Sequence, residues 1–219
     1  MAQVSIPTTS SPSEIRETVQ AMLAEESLPQ IVQVGHPVLR QSAARYDGQL
    51  TDQELAALID LMRRVMHDAP GVGLAAPQLG IPLQLAVAED AFDVDPEIAV
   101  LRERVPLEFL VLINPSYIAI GAGRAAFYEG CLSLTGLQAV VTRPERVQLT
   151  YTAQDGAAMQ TEYAGWQARI VQHETDHLHG TLYIDKAELR SLTNNDEYGL
   201  RWARPDISQA RQELGFLPD

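Results

Sequence analysis

The sequence predicts an α+β fold, with antiparallel β-strands packed around a central helix that carries a His-Glu-x-x-His motif and with an amphipathic helix near the N-terminus. Three observations carry that prediction. Apolar residues recur at helical spacing in two early segments, each opened by a capping signal. From "LQLAVA" at 83 onward, short apolar runs alternate with Gly, Pro and Asp-Gly breaks, as strands and hairpins do. One more helical stretch follows these strands, from about Trp166 to His179, and Gly180 stands where a helix C-terminus wants a glycine.

Taken in order, "SPSE" at 11–14 offers a Ser cap, Pro12 in the first turn and Glu14 to close a capping box. Ile15, Val19, Met22 and Leu23 then form one apolar face. "IVQVGHPVLRQSA" at 31–43 reads as a short strand and a turn. "TDQE" at 51–54 is a second capping box, and Leu55, Leu58, Ile59, Met62, Val65 and Met66 make the clearest amphipathic helix, stopped by "DAPG" at 68–71. Among the β segments, Asp155-Gly156 marks a hairpin. Residues 89–105 are acidic and read as an exposed, irregular excursion. The tail after Leu192 alternates charges and ends in a short helix near Asp206 to Leu214.

A chain of 219 residues can bury one substantial core. Its 16 basic and 29 acidic residues give a net charge of −13, which repels phosphate polyanions and argues against free nucleic acid as a partner. No basic cluster precedes an apolar run near the start, and no stretch of about 18 apolar residues occurs, so neither export nor a membrane partner is expected. A single cysteine, Cys131, closes no intramolecular disulfide and suits a reducing cytoplasm.

In "QHETDHLHG" at 172–180, His173 and His177 stand four apart, on one helix face, close enough to share a metal ion. Catalysis at such a site needs a third protein ligand and an open position. A histidine three residues past Gly180 would give one long protease pattern, but that position is Tyr183. Glu197 lies at the distance used by another class of zinc endopeptidase, within the irregular "NNDEYGLRW". Cys131 in "EGCLS" offers a soft thiolate suited to zinc or ferrous iron. A third reading, a structural metal in a non-catalytic domain, calls for four protein ligands, and no fourth is visible at recognised spacing.

Three separated stretches together resemble the peptide deformylases: "GVGLAAPQLG" at 71–80, "EGCLS" at 129–133 and "QHETDHLHG" at 172–180. Weaker similarity runs from "VGHPVLR" near 34 to "GTLYIDK" near 186. The resemblance implies a cytoplasmic metal-dependent hydrolase that removes the formyl group from the N-terminal formylmethionine of new polypeptides and releases formate. It divides the chain into an N-terminal helical extension (1–30), a deformylase catalytic domain (31–190) and a C-terminal tail with a short helix (191–219). It implies one divalent ion, natively Fe(2+) with Zn(2+), Ni(2+) or Co(2+) as substitutes, held by Cys131, His173 and His177. Glu174 is then the general acid and base, and the Gln78 side chain with the Leu132 backbone N–H supplies the oxyanion donors. Partners implied are N-formylmethionyl nascent peptides and, transiently, the ribosome.

These roles make chemical sense, since an amide resists neutral water and calls for a metal and a proton-accepting carboxylate together. Gly71 and Gly73 permit close approach of an extended peptide. Val72, Gly73 and Gly130 are the expected main-chain contacts. By family position the methionine slot is walled by Val72, Phe127, Trp166, Arg169 (through its stem) and Ile170. Glu129 and Asp176 read as supporting carboxylates, His179 as solvated, and His36 and His67 as lacking a partner. Two departures stand out: Thr135 where relatives carry a proline, and Gln138 where an arginine is frequent.

Overall fold

Ser11 begins the described structure, a computed structural model covering residues 11–217, and its side chain caps helix α1 (Pro12–Ala24). The capping box forms as the sequence predicts: Glu14 N–H donates to Ser11 Oγ, and Ser11 N–H donates to Glu14 Oε2 at 2.6 Å. Ile15 and Val19 are buried against helix α2 (Asp52–Asp68), which opens with the equivalent Thr51–Glu54 box. Of the expected N-terminal extension, residues 1–10 lie outside the described residues.

Strands β1 (Gly73–Ala75), β2 (Leu85–Asp90), β3 (Leu107–Ala119), β6 (Arg146–Thr152) and β7 (Ala158–Ala164) form an antiparallel sheet in the order β1-β2-β3-β6-β7. The β6–β7 hairpin turns at Asp155-Gly156, where Gly156 has φ 84°. Strands β4 (Arg124–Gly130), β5 (Leu137–Pro144) and the two-residue β8 (Thr193–Asn194) form a second antiparallel sheet. Helix α4 (Gly165–Leu178) lies between the two. Its Ala168, Val171 and Leu178 pack on Leu112, Val147 and Leu149 of the larger sheet. Its Arg169 and Asp176 reach residues of the smaller one. A helix wedged in this way is buried nearly all round, so its many polar residues must find partners inside the protein.

Three expectations are corrected. Residues 31–34 form no strand: the Val32 N–H goes to the Gln78 carbonyl and the Val34 N–H to that of Ser133, two isolated bonds to different segments. Pro37–Arg40 follow as a 3₁₀ turn in which His36 Nδ1 accepts from the Val38 N–H, so His36 does have a partner. The acidic segment is not an irregular excursion. Asp90 ends β2 and is buried, because Arg104 returns to pair with both its carboxylate oxygens at 2.8 Å, and the intervening helix α3 (Pro96–Leu101) is capped by Asp95. His67 bonds Glu89 at 2.8 Å.

The tail is packed rather than loose. A single helical turn, α5 (Asn195–Glu197), runs into a π-turn at Tyr198–Trp202, and helix α6 (Ser208–Leu214) follows. Trp202, Ala210 and Phe216 bury against Tyr128 of β4 and Val140 of β5.

Candidate metal centre and substrate cleft

Helix α4 places His173 and His177 one turn apart with ring centroids 5.0 Å from each other. Strand β4 ends at Gly130, and the turn after it brings Cys131 opposite them, its Sγ 3.2 Å from His177 Nε2. The donor atoms of Cys131, His173 and His177 all lie within 4.8 Å of one another. Ligands sharing one ion at bond lengths of about 2.0–2.3 Å stand about 3.5 Å apart, so the thiol and two imidazoles fit a single divalent cation. Glu197, the alternative third ligand, is exposed on α5 and pairs with Arg201, apart from this cluster. His179 is exposed past the end of the helix.

A buried ionic network fixes these side chains. His173 Nδ1 is 2.9 Å from Glu129 Oε2, which turns its other nitrogen toward the thiol. Glu129 also receives two bonds from Arg143 and one from Arg169. Arg143 continues to Asp176, which Lys186 and the Tyr117 hydroxyl complete. Burial would raise the Glu129 pKa, but Arg143, His173 and Arg169 hold it well below the ordinary carboxylate range. Burial likewise disfavours a charged His173, yet Cys131 and Glu129 at its ring hold its pKa well above the usual value. His177 goes the other way: burial, then the nearby His173 and Arg143, hold its pKa well below the usual value, so its ring stays neutral beside the thiol.

Glu174 points the other way along α4, toward β1. A Cβ on Gly73 would lie within 2.5 Å of Glu174 Cδ, so glycine leaves the space that this carboxylate fills. Its Oε2 is buried with no hydrogen-bond partner among the described residues, and burial raises its pKa to about 7, against the pull of His173 and Arg143. A carboxyl poised near neutrality can both take and return a proton. Gln78 sits in the 3₁₀ turn Ala76–Leu79 after β1. Its Oε1 accepts from the Ala75 N–H, and this fixes Nε2 toward Ser133 Oγ at 3.2 Å and Cys131 Sγ at 3.6 Å.

A cleft of about 1040 Å³ runs past these groups and is lined by Val72, Gly73, Gly130, Trp166, Arg169 and Ile170, among others. Strand β1 is an edge strand of its sheet, leaving one side free to pair with an added peptide strand. Val72, Trp166 and Ile170 pack with Ala88 and Leu107 into an apolar slot. Phe127 stands behind it: it lines a neighbouring recess of about 170 Å³ and meets Trp166 edge-on at 6.3 Å. Arg169 is more than an apolar stem, for its guanidinium also binds the carbonyls of Ala125 and Val141.

A family model described as polypeptide deformylase matches residues 28–193. Over 216 residues the sequence is 53% identical to peptide deformylase 3 of Streptomyces avermitilis, covering 98% of this chain and 96% of that protein. The chain belongs to the peptide deformylase family. It is also 39% identical over 175 residues to the mitochondrial peptide deformylase of Homo sapiens, covering 78% of this chain and 72% of that one. The Met-Ala-Ser-bound crystal structure of a peptide deformylase from Acinetobacter baumannii superposes with a TM-score of 0.66 at 29% identity, covering 74% of this chain and 99% of that one. As a deformylase, the enzyme removes the formyl group from the N-terminus of newly made polypeptides. Among the described residues, no helix of this deformylase is long and apolar enough to cross a membrane.

Arg143 escaped the sequence reading, although its signal was present. In β5 it shares the inward face with Ala139 and Val141, where an arginine must have buried partners.

Proposed function

We propose that residues 31–190 act as the catalytic domain, with Cys131, His173 and His177 holding one divalent ion, natively Fe(2+). The convergence of these donors beside a buried Glu174 carries the reading. An ion held there would supply Lewis acidity, polarising the formyl oxygen and acidifying water near neutral pH. Glu174 takes the proton of the attacking water and returns it to the departing amine nitrogen. Gln78 Nε2 and the Leu132 N–H donate to the formyl oxygen as negative charge develops on it. Val72, Gly73 and Gly130 hold the substrate main chain, which leaves sequence beyond the first residue largely unread. The slot of Val72, Trp166, Arg169 and Ile170, backed by Phe127, receives the methionine side chain. The enzyme works in the cytoplasm and meets its substrate as the nascent chain leaves the ribosome.

The test is formate release from formyl-Met-Ala-Ser by protein prepared anaerobically and loaded with ferrous iron. Glu174→Ala should keep the metal and lose about 100- to 10,000-fold in kcat. Cys131→Ala should lose both metal and activity. Full turnover by the first variant, or unchanged metal content in the second, would contradict the assignment.

A further inference from the structure

Two guanidinium groups line the cleft. That of Arg169 is neutralised by Glu129. Arg102, just after α3, pairs with no carboxylate among the described residues. Its Nε donates to the Pro205 carbonyl at 3.2 Å and its Nη2 to that of Arg204 at 3.0 Å, while the nearby Tyr198 phenol favours its charged form. Its Cζ stands 5.2 Å from the ring centroids of both Phe127 and Trp166. Neutral carbonyls, a phenol and two aromatic faces thus hold a cation in place without compensating it, and N–H donors remain on its edge. Burial lowers its pKa, the direction of a cation short of counter-charge.

Its position relative to the substrate follows from strand geometry. A peptide added along β1 is extended, so its first and third side chains leave the same face about 7 Å apart. With the first in the slot of Val72, Trp166 and Ile170, the third leaves the same face, within reach of Arg102, whose guanidinium lies over Trp166 and lines the same cleft. We infer that Arg102 is a specificity-determining residue that favours an acidic side chain at the third residue of the formylated peptide. This rests on the reading of the cleft given above. The overall negative field of the protein does not oppose it at contact range, because charges farther than about 8 Å are screened at physiological salt.

Formyl-Met-Ala-Asp-amide and formyl-Met-Ala-Asn-amide differ in charge and little in size, and the amides remove the terminal carboxylate. On the metal-loaded holoenzyme the aspartyl peptide should show a kcat/KM about fivefold higher, carried by KM and shrinking as salt rises. That ratio should fall toward one in Arg102→Met and be partly kept in Arg102→Lys. Formyl-Met-Asp-Ala-amide, whose acid leaves the opposite face, should gain nothing over its Asn counterpart. Because Arg102 also ties down the tail, the ratio within each protein is the readout rather than its absolute rate. A wild-type ratio of one, or a ratio unchanged in Arg102→Met, overturns the inference while leaving the deformylase reading intact. Formate from neither peptide would overturn the reading of the cleft and the inference with it.

Discussion

Gly73 shows how one missing side chain sets the position of the proposed catalytic carboxylate. Backbone strain is not the reason for glycine here, since only proximity is at stake: a methyl at this position would overlap the Glu174 carboxylate, which is itself buried. Gly73→Ala should therefore lower kcat by about 100-fold or more while metal content and thermal midpoint stay near wild type, because a displacement of about 1 Å at a reacting group has that effect. Unchanged kcat in a folded, metal-loaded Gly73→Ala protein would show that Glu174 has room to move. The groups nearest the chemistry were readable in the sequence because helical phase joins His173, Glu174 and His177 within one turn. Cys131 needed the resemblance, since its 42-residue separation from His173 encodes no geometry. Arg102 was not readable at all. Its role depends on Trp166 and on the carbonyls of Arg204 and Pro205, which only the folded chain brings beside it.

Both early helices open with the capping boxes that the sequence displays, and at α2 the box has a second use. Glu54 closes the cap on the Thr51 N–H at 2.8 Å and also accepts from Arg16 and Gln20 of α1, so one carboxylate starts one helix and docks the other. The Thr51 bond first, then Gln20, lower its pKa from 4.5 to about 2. A carboxyl whose folded pKa is depressed contributes its stability in full above the unfolded value and loses it as pH falls through the folded one. The contribution of Glu54 should thus be complete above about pH 4.5 and fade toward pH 2. Glu54→Gln keeps the shape and removes the charge. Its urea midpoint should lie below wild type at pH 7, with a gap that narrows steadily as pH falls from 4.5 to 3. A gap independent of pH would mean that geometry, not charge, carries the cap. The expected strand at 31–34 fails for a related reason: apolar Ile31, Val32 and Val34 in a short run suggest a strand, whereas a strand needs a partner edge, and here the N–H groups go to two unrelated segments.

The tail shows the same limit over a longer range. Residues 191–219 read as alternating charge because the apolar residues that matter, Trp202, Ala210 and Phe216, are too widely spaced to make a helical stripe. Together they cover Tyr128 and Val140, closing the outer face of the smaller sheet, whose β4 delivers Gly130 and Cys131 to the cleft. Tyr198 on the intervening π-turn meets Tyr128 edge-on at 5.2 Å and lines the cleft itself. The tail is therefore part of the core under β4, and its loss should be felt first as stability and second in the cleft. Trp202→Ala removes the largest of its buried side chains and should cost about 3–5 kcal/mol. For a domain of this size, each kcal/mol lowers the thermal midpoint by about 2–4 °C. Below the new midpoint the metal should remain bound, because Trp202 packs with Tyr128, Val140, Ala210 and Phe216, not with Glu129, whose carboxylate bonds His173. KM for formyl-Met-Ala-Ser should rise more than kcat falls, since the tail forms a wall of the cleft rather than its chemistry. A Trp202→Ala protein with an unaltered midpoint would show that the tail only rests on the sheet, and one that loses its metal would place the tail in support of the ligands.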